Sequence, residues 1–180
     1  MCRRPDRKPP LIAIHRLETV PHAAIEALLD RAFEPGRHRR TAYIVRGAAR
    51  AIPTLSFAAL DDDLLVGSIQ CWPVALVTDA GTALPLVMIG PVAVDPTHQM
   101  HGIGRMLMTA ALDAAAAHGL DDAMMLIGDP DYYGRFFGFS AEHTGAWTLP
   151  GPVERHRLLA RGPGVPAVAG TLGPRIAAPA

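Results

Sequence analysis

The segment VDPTHQMHGIGRMLM, residues 94–108, constrains the fold more than any other stretch of the sequence. It joins the end of an apolar run to an apolar helix through a proline and a polar turn that contains Gly102 and Gly104. The first four N–H groups of a helix have no partner inside it, and the aligned peptide dipoles add about half a positive charge there. Because glycine has no Cβ, an anion can approach the backbone closely. The turn is therefore predicted to bind an anion, and a phosphate fits it.

Two known phosphate-binding motifs do not match this turn. A Walker A loop needs a lysine and a serine or threonine after its second glycine, where this chain has Arg105 and Met106. A dinucleotide fingerprint needs three glycines, and QMHGIG lacks the first. The alternative that stays open is that Gly102 and Gly104 only let the helix pack tightly on a sheet.

Hydrophobic spacing predicts the other elements of the fold. A helix is predicted from Gly102 to Ala117 and an earlier one over 20–33, because apolar residues recur there at i, i+3 and i+4. Residues 55–76 form two strand-like runs joined by DDD, which indicates a hairpin. Further strands are predicted over 84–94 and 123–128, and a short helix after Pro130. This mixed order predicts an α/β or α+β domain, a single sheet with helices on both faces.

A chain of 180 residues fits one domain. Residues 1–10 carry charge and three prolines, so they are expected to form a flexible tail. Residues 162–180 are rich in Gly, Pro and Ala without a period, and a second tail is expected there. The folded unit is thus predicted to span 11–161.

Charge and cysteine content limit the partners. The chain has 17 Lys and Arg and 17 Asp and Glu, so no overall field attracts nucleic acid or an anionic membrane. Cys2 and Cys71 have neither zinc-site spacing nor the pattern of a disulfide framework, which favours a reducing compartment, the cytoplasm. His98 and His101 lack a third ligand, so no metal site is expected. The longest apolar run is too short and too interrupted to span a membrane.

The segment GPVAVDPTHQMHGIGRMLM resembles the acyl-CoA-binding motif of the GNAT superfamily of N-acetyltransferases, with Gln99, Gly102 and Gly104 in the pattern Gln or Arg, two residues, Gly, one residue, Gly or Ala. The following MMLIGDPDYYGRFFGF is similar to the strand, tyrosine-bearing helix and Gly-Phe turn of that superfamily, especially its bacterial YhbS-like subgroup. The resemblance covers about residues 11–150.

The resemblance implies a mixed, mostly antiparallel twisted sheet in which the strands over 86–94 and 123–127 are parallel neighbours that splay apart. It implies that acetyl-CoA lies in this gap, with its pantetheine arm against the backbone of Val92, Ala93 and Val94. The pyrophosphate is then held by amides of the turn, formed by Gln99, Met100, His101, Gly102, Ile103, Gly104 and Arg105. The Arg105 side chain either adds a charge-assisted contact or is a solvated cation, and both readings stay open.

The implied activity is transfer of an acetyl group from CoA directly to a primary amine in a ternary complex. The family usually protonates the leaving sulfur with a tyrosine on the late helix, where Tyr132 and Tyr133 stand. We favour Tyr133, although four residues separate it from Gly138 where three are usual, and either tyrosine could instead only pack.

The acceptor side is less defined by the sequence. Many relatives place a glutamate before the motif to deprotonate the amine, but no carboxylate occurs from Gly81 to Gly90, so ordered water or a remote side chain is expected to do so. Gln70, Cys71 and Trp72 are predicted to line the acceptor pocket, with Cys71 as a small apolar residue and not a nucleophile. The basic run over 37–40 and neighbouring arginines such as Arg46 attract an acidic acceptor, attract the 3′-phosphate of CoA, or are simply solvated.

A second function class stays open, a module of the same fold that binds acyl-CoA without transferring the acyl group. Both a monomer and a homodimer are compatible with the sequence.

Overall fold

A computed structural model describes residues 11–176, so the expected N-terminal tail over 1–10 lies outside the described residues. The strands are β1 (Ile12–Arg16), β2 (Phe57–Asp61), β3 (Leu64–Val77), β4 (Ala83–Val94), β5 (Met124–Ile127), β6 (Trp147–Thr148), β7 (Leu158–Arg161) and β8 (Gly170–Pro174). The helices are α1 (His22–Ala32), α2 (Thr41–Arg46), α3 (Ile103–Ala117) and α4 (Pro130–Phe137). The predicted hairpin and the predicted helix ending at Ala117 are both confirmed.

The eight strands form one mixed sheet in the order β1-β2-β3-β4-β5-β7, with β8 paired to β3 and β6 paired to β8. Neighbouring strands are antiparallel except for the pairs β4–β5 and β6–β8. The predicted α/β (α+β) fold with a mostly antiparallel sheet is therefore confirmed.

Helices cover both faces of the sheet because successive side chains of a strand point to opposite faces. On β4, Val87 and Ile89 belong to the apolar cluster that contains the buried face of α3. Leu86 and Met88, which alternate with Val87 and Ile89 along the strand, belong to a separate cluster with Val45 of α2. The buried residues of α1 form a third cluster with Ala58 of β2.

Residues 162–176 differ from the flexible tail that the composition of 162–180 predicts. Within this range, β8 pairs antiparallel with Val74–Val77 of β3, and Leu172 is 1% exposed, so the folded unit extends beyond residue 161. The run GTLGP shows no alternation of large apolar residues because Leu172 is its only one. A Cβ at Gly170 would lie 2.7 Å from the carbonyl oxygen of Val77, so close backbone packing accounts for that glycine.

Two features of the sheet position the predicted anion-binding turn. Strands β4 and β5 pair only at Val87–Met124 and Met88–Met125, and β4 continues to Val94 without β5 as its neighbour. Helix α3 then packs on β3 at Gly67, where a Cβ would lie 2.7 Å from Cγ2 of Ile103. The start of α3 is therefore held next to the free end of β4, as the resemblance implies.

Candidate active site

The turn before α3 is fixed by side chains that precede its glycines. The Asp95 carboxylate accepts hydrogen bonds from the backbone N–H of Thr97 at 3.0 Å and from its hydroxyl at 2.7 Å, and from Arg31 Nε at 3.0 Å. These hydrogen bonds lower the pKa of Asp95 to about 2, and the two from Thr97 contribute most to this shift. The ring of His98 is buried and its Nδ1 lies 2.8 Å from the Thr97 hydroxyl. The loop is therefore rigid up to its exposed last turn, Gln99–His101.

Gly102 precedes the first residue of α3 as its N-cap and has the left-handed conformation, with φ 68° and ψ 15°. Within residues 11–176, no acceptor is hydrogen-bonded to the backbone N–H groups of Gly102, Ile103 or Gly104. The N–H of Arg105 already donates to the carbonyl of Gly102 at 3.0 Å. A Cβ at Gly102 would meet nothing within 4 Å. Three free amides thus border open space at the positive end of a 15-residue helix.

A cavity of about 400 Å³ lies against these amides. Its lining combines the glycines and arginine of the turn with the end of β4 and residues from α1 and α4: Gln99, Gly102, Gly104, Arg105, Val92, Val94, Ala32, Phe33 and Tyr132. Gly104 stands at its centre, since a Cβ there would lie 3.8 Å from both the Tyr132 hydroxyl and Val94 Cγ2. The guanidinium of Arg105 lies over the Phe136 ring at 4.4 Å.

A larger cavity, of about 750 Å³, occupies the gap between the diverging strands. Residues Met88–Val92 of β4 and Leu126–Asp129, at and just after the end of β5, line it together with Tyr133. The two cavities share Phe33 and Val92, so they adjoin each other. An elongated ligand with an anionic part can therefore occupy both, with the anion on the turn.

The two tyrosines of α4 are separated by this geometry. Tyr133 lines the larger cavity and Tyr132 the smaller one, with their rings edge-to-face at 5.0 Å between centroids. Burial is the largest cause that raises the pKa of Tyr133 to about 12, with Tyr132 and Asp129 adding to it. Burial also raises the pKa of Tyr132. A tyrosine hydroxyl that keeps its proton is a hydrogen-bond donor next to the strand gap.

Comparison with known proteins identifies this arrangement. The profile of the Acetyltransferase (GNAT) family matches residues 22–139. This range includes the residues of β4, the turn and α4 that line the two cavities.

The chain belongs to the GNAT family.

Its sequence is 32% identical over 139 residues to the "Uncharacterized N-acetyltransferase YhbS" of Escherichia coli K12, covering 74% of this chain and 80% of that protein. The structure of Escherichia coli YhbS in complex with CoA superimposes with a TM-score of 0.69 at 24% identity, covering 92% of this chain and 89% of that one. A GNAT family acetyltransferase from Brucella melitensis in complex with acetyl-CoA gives a TM-score of 0.60 at 24% identity, covering 90% and 94%. These two structures share the GNAT fold with this chain.

None of the three residues predicted to line the acceptor pocket of this GNAT protein, Gln70, Cys71 and Trp72, is among the lining residues of the larger cavity. Cys71 is fully buried in the core below α3, and burial raises the pKa of its thiol to about 12, so it does not line a pocket. Gln70 and Trp72 are half-buried and are not among the lining residues of either described cavity. Trp72 contributes indirectly, because its ring lies 4.1 Å from the guanidinium carbon of Arg46, which does line the cavity.

Sequence reasoning missed two segments that line the larger cavity. One is the loop and helix from Arg37 to Arg46, of which the sequence indicated only the basic run over 37–40 and Arg46, and the other is the loop Pro152–Arg157 before β7. The carboxylates among the lining residues are Asp129 and Glu154. Asp129 caps α4 by accepting from the N–H of Asp131 at 3.0 Å, and Glu154 is exposed. Neither belongs to β4, where many GNAT proteins carry a glutamate.

Within residues 11–176, no group of three or more His, Cys, Asp or Glu side chains is arranged to hold a metal ion. None of the helices in that range has the length and apolarity needed to cross a membrane.

Gly128 controls the position of Tyr133 in this GNAT site. A Cβ at Gly128 would clash with Cε2 of Tyr133 and lie 2.6 Å from its Cδ2. We therefore expect Gly128→Ala to displace the ring, to destabilise the protein by about 1–3 kcal/mol as overpacked sites do, and to lower turnover. Urea unfolding and a thiol-release assay measure the two effects. Gly145→Ala is the matched control, because a Cβ there would meet nothing within 4 Å. Equal stability and activity of Gly128→Ala and wild type would show that Gly128 does not control the position of Tyr133.

Proposed function

We propose that the protein is an acetyl-CoA-dependent N-acetyltransferase that transfers the acetyl group directly to a primary amine in a ternary complex. The observation that carries the proposal is the set of three unpaired amides, Gly102 to Gly104, bordering a cavity that adjoins the gap between β4 and β5. Membership of the GNAT family and the CoA and acetyl-CoA complexes of two proteins with this fold support it.

The donor is proposed to lie along both cavities. The pyrophosphate accepts hydrogen bonds from the amides of the turn and is stabilised by the dipole of α3. Within the predicted set from Gln99 to Arg105, Gly102, Ile103 and Gly104 have free N–H groups, while Arg105 contributes its side chain. The pantetheine arm pairs with β4 at Val92–Val94, on the side that β5 leaves open. Of these residues, Ala93 takes part through its backbone alone, because its side chain is 1% exposed.

The reaction begins when the unprotonated amine nitrogen attacks the carbonyl carbon of the thioester. A C–N bond forms, the C–S bond breaks, and CoA leaves as a thiolate that must acquire a proton. The attacking nitrogen loses a second proton as the amide forms, and this proton replaces the one that the thiolate takes up. The net change from an ammonium acceptor is therefore release of one proton to solvent. Tyr133 is the proposed donor to the sulfur, because its hydroxyl stays protonated and borders the strand gap.

Deprotonation of the acceptor is proposed to use ordered water, since β4 carries no carboxylate on its first eight residues, Ala83–Gly90. Asp129 and Glu154 are the carboxylates that line the larger cavity and thus the remote side chains available. A water-mediated route requires no fixed base within contact distance of the amine.

Titration calorimetry with acetyl-CoA is the first test. We expect saturable binding at one site per chain, with release of the CoA thiol when a panel of primary amines is added. The absence of heat at millimolar acetyl-CoA would contradict the proposal. In that case the amides of the turn bind no pyrophosphate.

The second candidate function is a module that binds acyl-CoA without transferring the acyl group. It is favoured by the missing carboxylate on β4 and by the four residues between Tyr133 and Gly138. Acetyl-CoA binding without thiol release across an amine panel would support this alternative.

A further inference from the structure

Arg46 carries an uncompensated charge in the wall of the larger cavity. Its guanidinium carbon lies 3.8 Å from the ring centroid of Tyr43 and 4.1 Å from that of Trp72, so the group is stacked between two aromatic side chains. Its Nη1 is inaccessible to solvent and has no hydrogen-bond partner. Among residues 11–176, no carboxylate forms an ion pair with it. The half-buried guanidinium lines the cavity without an ion pair among the described residues, so its charge is available to a partner outside the chain.

The side chains that hold Arg46 are themselves fixed. The indole N–H of Trp72 donates to the carbonyl of Gly90 at 2.7 Å. The hydroxyl of Tyr43 accepts from Arg37 at 2.9 Å, and Arg37 is in turn paired with Glu26 at 2.5 Å and Asp30 at 2.9 Å. Burial lowers the pKa of Arg46, yet an arginine remains protonated in proteins. The cation is therefore preorganised by a network that leaves its own charge unmatched.

The other charged side chains that line the larger cavity are mostly positive as well. Its lining includes five arginines and two carboxylates: Arg37, Arg39, Arg40, Arg46, Arg157, Asp129 and Glu154. Arg37 is neutralised by its two ion pairs, whereas Arg39, Arg40 and Arg157 are exposed and have no ion pair among the described residues. The cavity is thus positive, and Arg46 is its half-buried arginine without a counter-ion among the described residues.

The position of Arg46 separates it from the donor phosphates. It lines the larger cavity but not the smaller one beside the free amides. Through Trp72 it is tied to Gly90, which follows the last β4 residues paired with β5. The phosphate turn is at the other end of the β4 segment, next to Val94. An anion at Arg46 therefore belongs to the molecule that shares the larger cavity with the reacting end of the donor.

We propose that the acceptor is a primary amine that also carries a carboxylate, and that Arg46 binds this carboxylate. The inference rests on the proposed acetyl transfer and narrows its acceptor class. A guanidinium offers a planar fork of donors that matches a carboxylate, and a carboxylate would neutralise the charge of Arg46, which has no ion pair among residues 11–176. Stacking on Tyr43 and Trp72 orients the guanidinium in the wall of the larger cavity, so a carboxylate bound there sets the position from which the amine is presented.

Matched pairs of acceptors test the proposal. Each pair joins an ω-amino acid with the alkylamine of the same chain length, such as 4-aminobutanoate with butylamine and 6-aminohexanoate with hexylamine, and thiol release is measured for each. We expect kcat/KM to favour the acid of at least one pair by about tenfold or more, the range of a hydrogen bond to a charged group. Arg46→Met should remove the preference, and Arg46→Lys, which keeps the charge without the fork, should retain part of it.

Arg161→Met is the matched control, because this exposed arginine of β7 is not among the lining residues of the larger cavity. It removes the same charge and should leave the preference unchanged. Acetyl-CoA binding and the melting temperature of each variant confirm that the fold persists.

A binding measurement keeps the inference separate from catalysis. Trp72 stacks on Arg46, whereas the other tryptophan, Trp147, is fully buried, so tryptophan emission of the acetyl-CoA complex should report carboxylate binding. We expect 4-aminobutanoate to change the emission of wild type but not of Arg46→Met, and butylamine to change neither. Thiol release without preference for acids, or an emission response that survives Arg46→Met, would overturn the inference while leaving acetyl transfer in place. Emission changes without any thiol release would overturn the proposed catalysis instead.

Discussion

Gly104→Asp is expected to raise the dissociation constant for acetyl-CoA by about 100-fold or more while leaving the fold intact. A Cβ at this position would make ordinary contacts of 3.8 Å with the Tyr132 hydroxyl and with Val94, so the backbone accepts a side chain. The carboxylate would enter the smaller cavity and take the place of the pyrophosphate. Loss of two or three charge-assisted hydrogen bonds, each about 1.5–3 kcal/mol, accounts for the size of the effect.

The same substitution should not destabilise the protein. An acidic residue in the first turn of a helix interacts favourably with the dipole by about 0.3–1 kcal/mol. Unfolding by urea should therefore give a midpoint equal to or above that of wild type. Weaker donor binding together with unchanged or higher stability would indicate a phosphate site. If the glycines served only to let the helix pack, the added side chain would instead lower the stability.

Thr109→Asp is the matched control for this experiment. It adds the same charge to an exposed position of α3, two turns from the free amides. Calorimetry should show donor binding close to that of wild type. If Gly104→Asp binds acetyl-CoA as wild type does, the amides of Gly102 to Gly104 do not hold the donor.

The parts of the fold that depend on neighbouring residues could be predicted from the sequence. Helix α3, the hairpin of β2 and β3, and the start of α4 after Pro130 follow from periodicity and turn residues. The turn before α3 could be predicted because its glycines and the start of the helix lie within one short stretch of the sequence. Its free amides extend from Gly102 to Gly104, a narrower range than the predicted Gln99 to Arg105, because the N–H of Arg105 already donates within the helix.

Long-range packing decided the parts that could not be predicted. Strand β8 has a single large apolar residue, Leu172, and forms only because β3 offers it an open edge. Cys71 lies on β3, and an irregularity between Ile69 and Cys71 in the pairing with β4 places its side chain in the core. A register change of one residue reverses the face of a side chain, so local pattern alone could not assign it.

The acceptor side shows the same limit. Its walls come from residues 37–46 and 152–157, which are more than 100 positions apart in the sequence. The stacking of Arg46 between Tyr43 and Trp72 joins α2 to β3, and no short motif records that contact. Most residues of the proposed donor site come from the continuous segment 92–105, whereas the larger cavity is lined by segments far apart in the sequence.

Tyr133→Phe is expected to lower kcat for acetyl transfer by about 100-fold to 1,000-fold, the range in which general acids contribute. The dissociation constant for acetyl-CoA should change by less than about twofold, because the hydroxyl donates to a sulfur that carries charge only as the C–S bond breaks. Among the described residues the Tyr133 hydroxyl has no hydrogen-bond partner, so its removal leaves no protein group unpaired. Single-turnover thiol release and calorimetry measure the two quantities on the same protein.

Tyr132→Phe discriminates between the two tyrosines of α4. Tyr132 lines the cavity of the turn, so we expect its variant to weaken donor binding and to lose less than about tenfold in kcat. A larger loss of kcat for Tyr132→Phe than for Tyr133→Phe would identify Tyr132 as the general acid. Equal small losses for both variants would show that neither tyrosine of α4 is the acid.

The pH dependence of the wild-type rate gives an independent test of the same hydroxyl. Burial raises the pKa of Tyr133 to about 12 from an ordinary value of 10.0, and the form that donates is the protonated one. Raising the pKa therefore extends the active range to higher pH, and the rate should rise as the acceptor loses its proton and show no fall between pH 9 and 11. A decline centred near pH 10 that disappears in Tyr133→Phe would show a tyrosine in contact with solvent. Such a hydroxyl would not have the buried environment that makes it a persistent donor to the leaving sulfur.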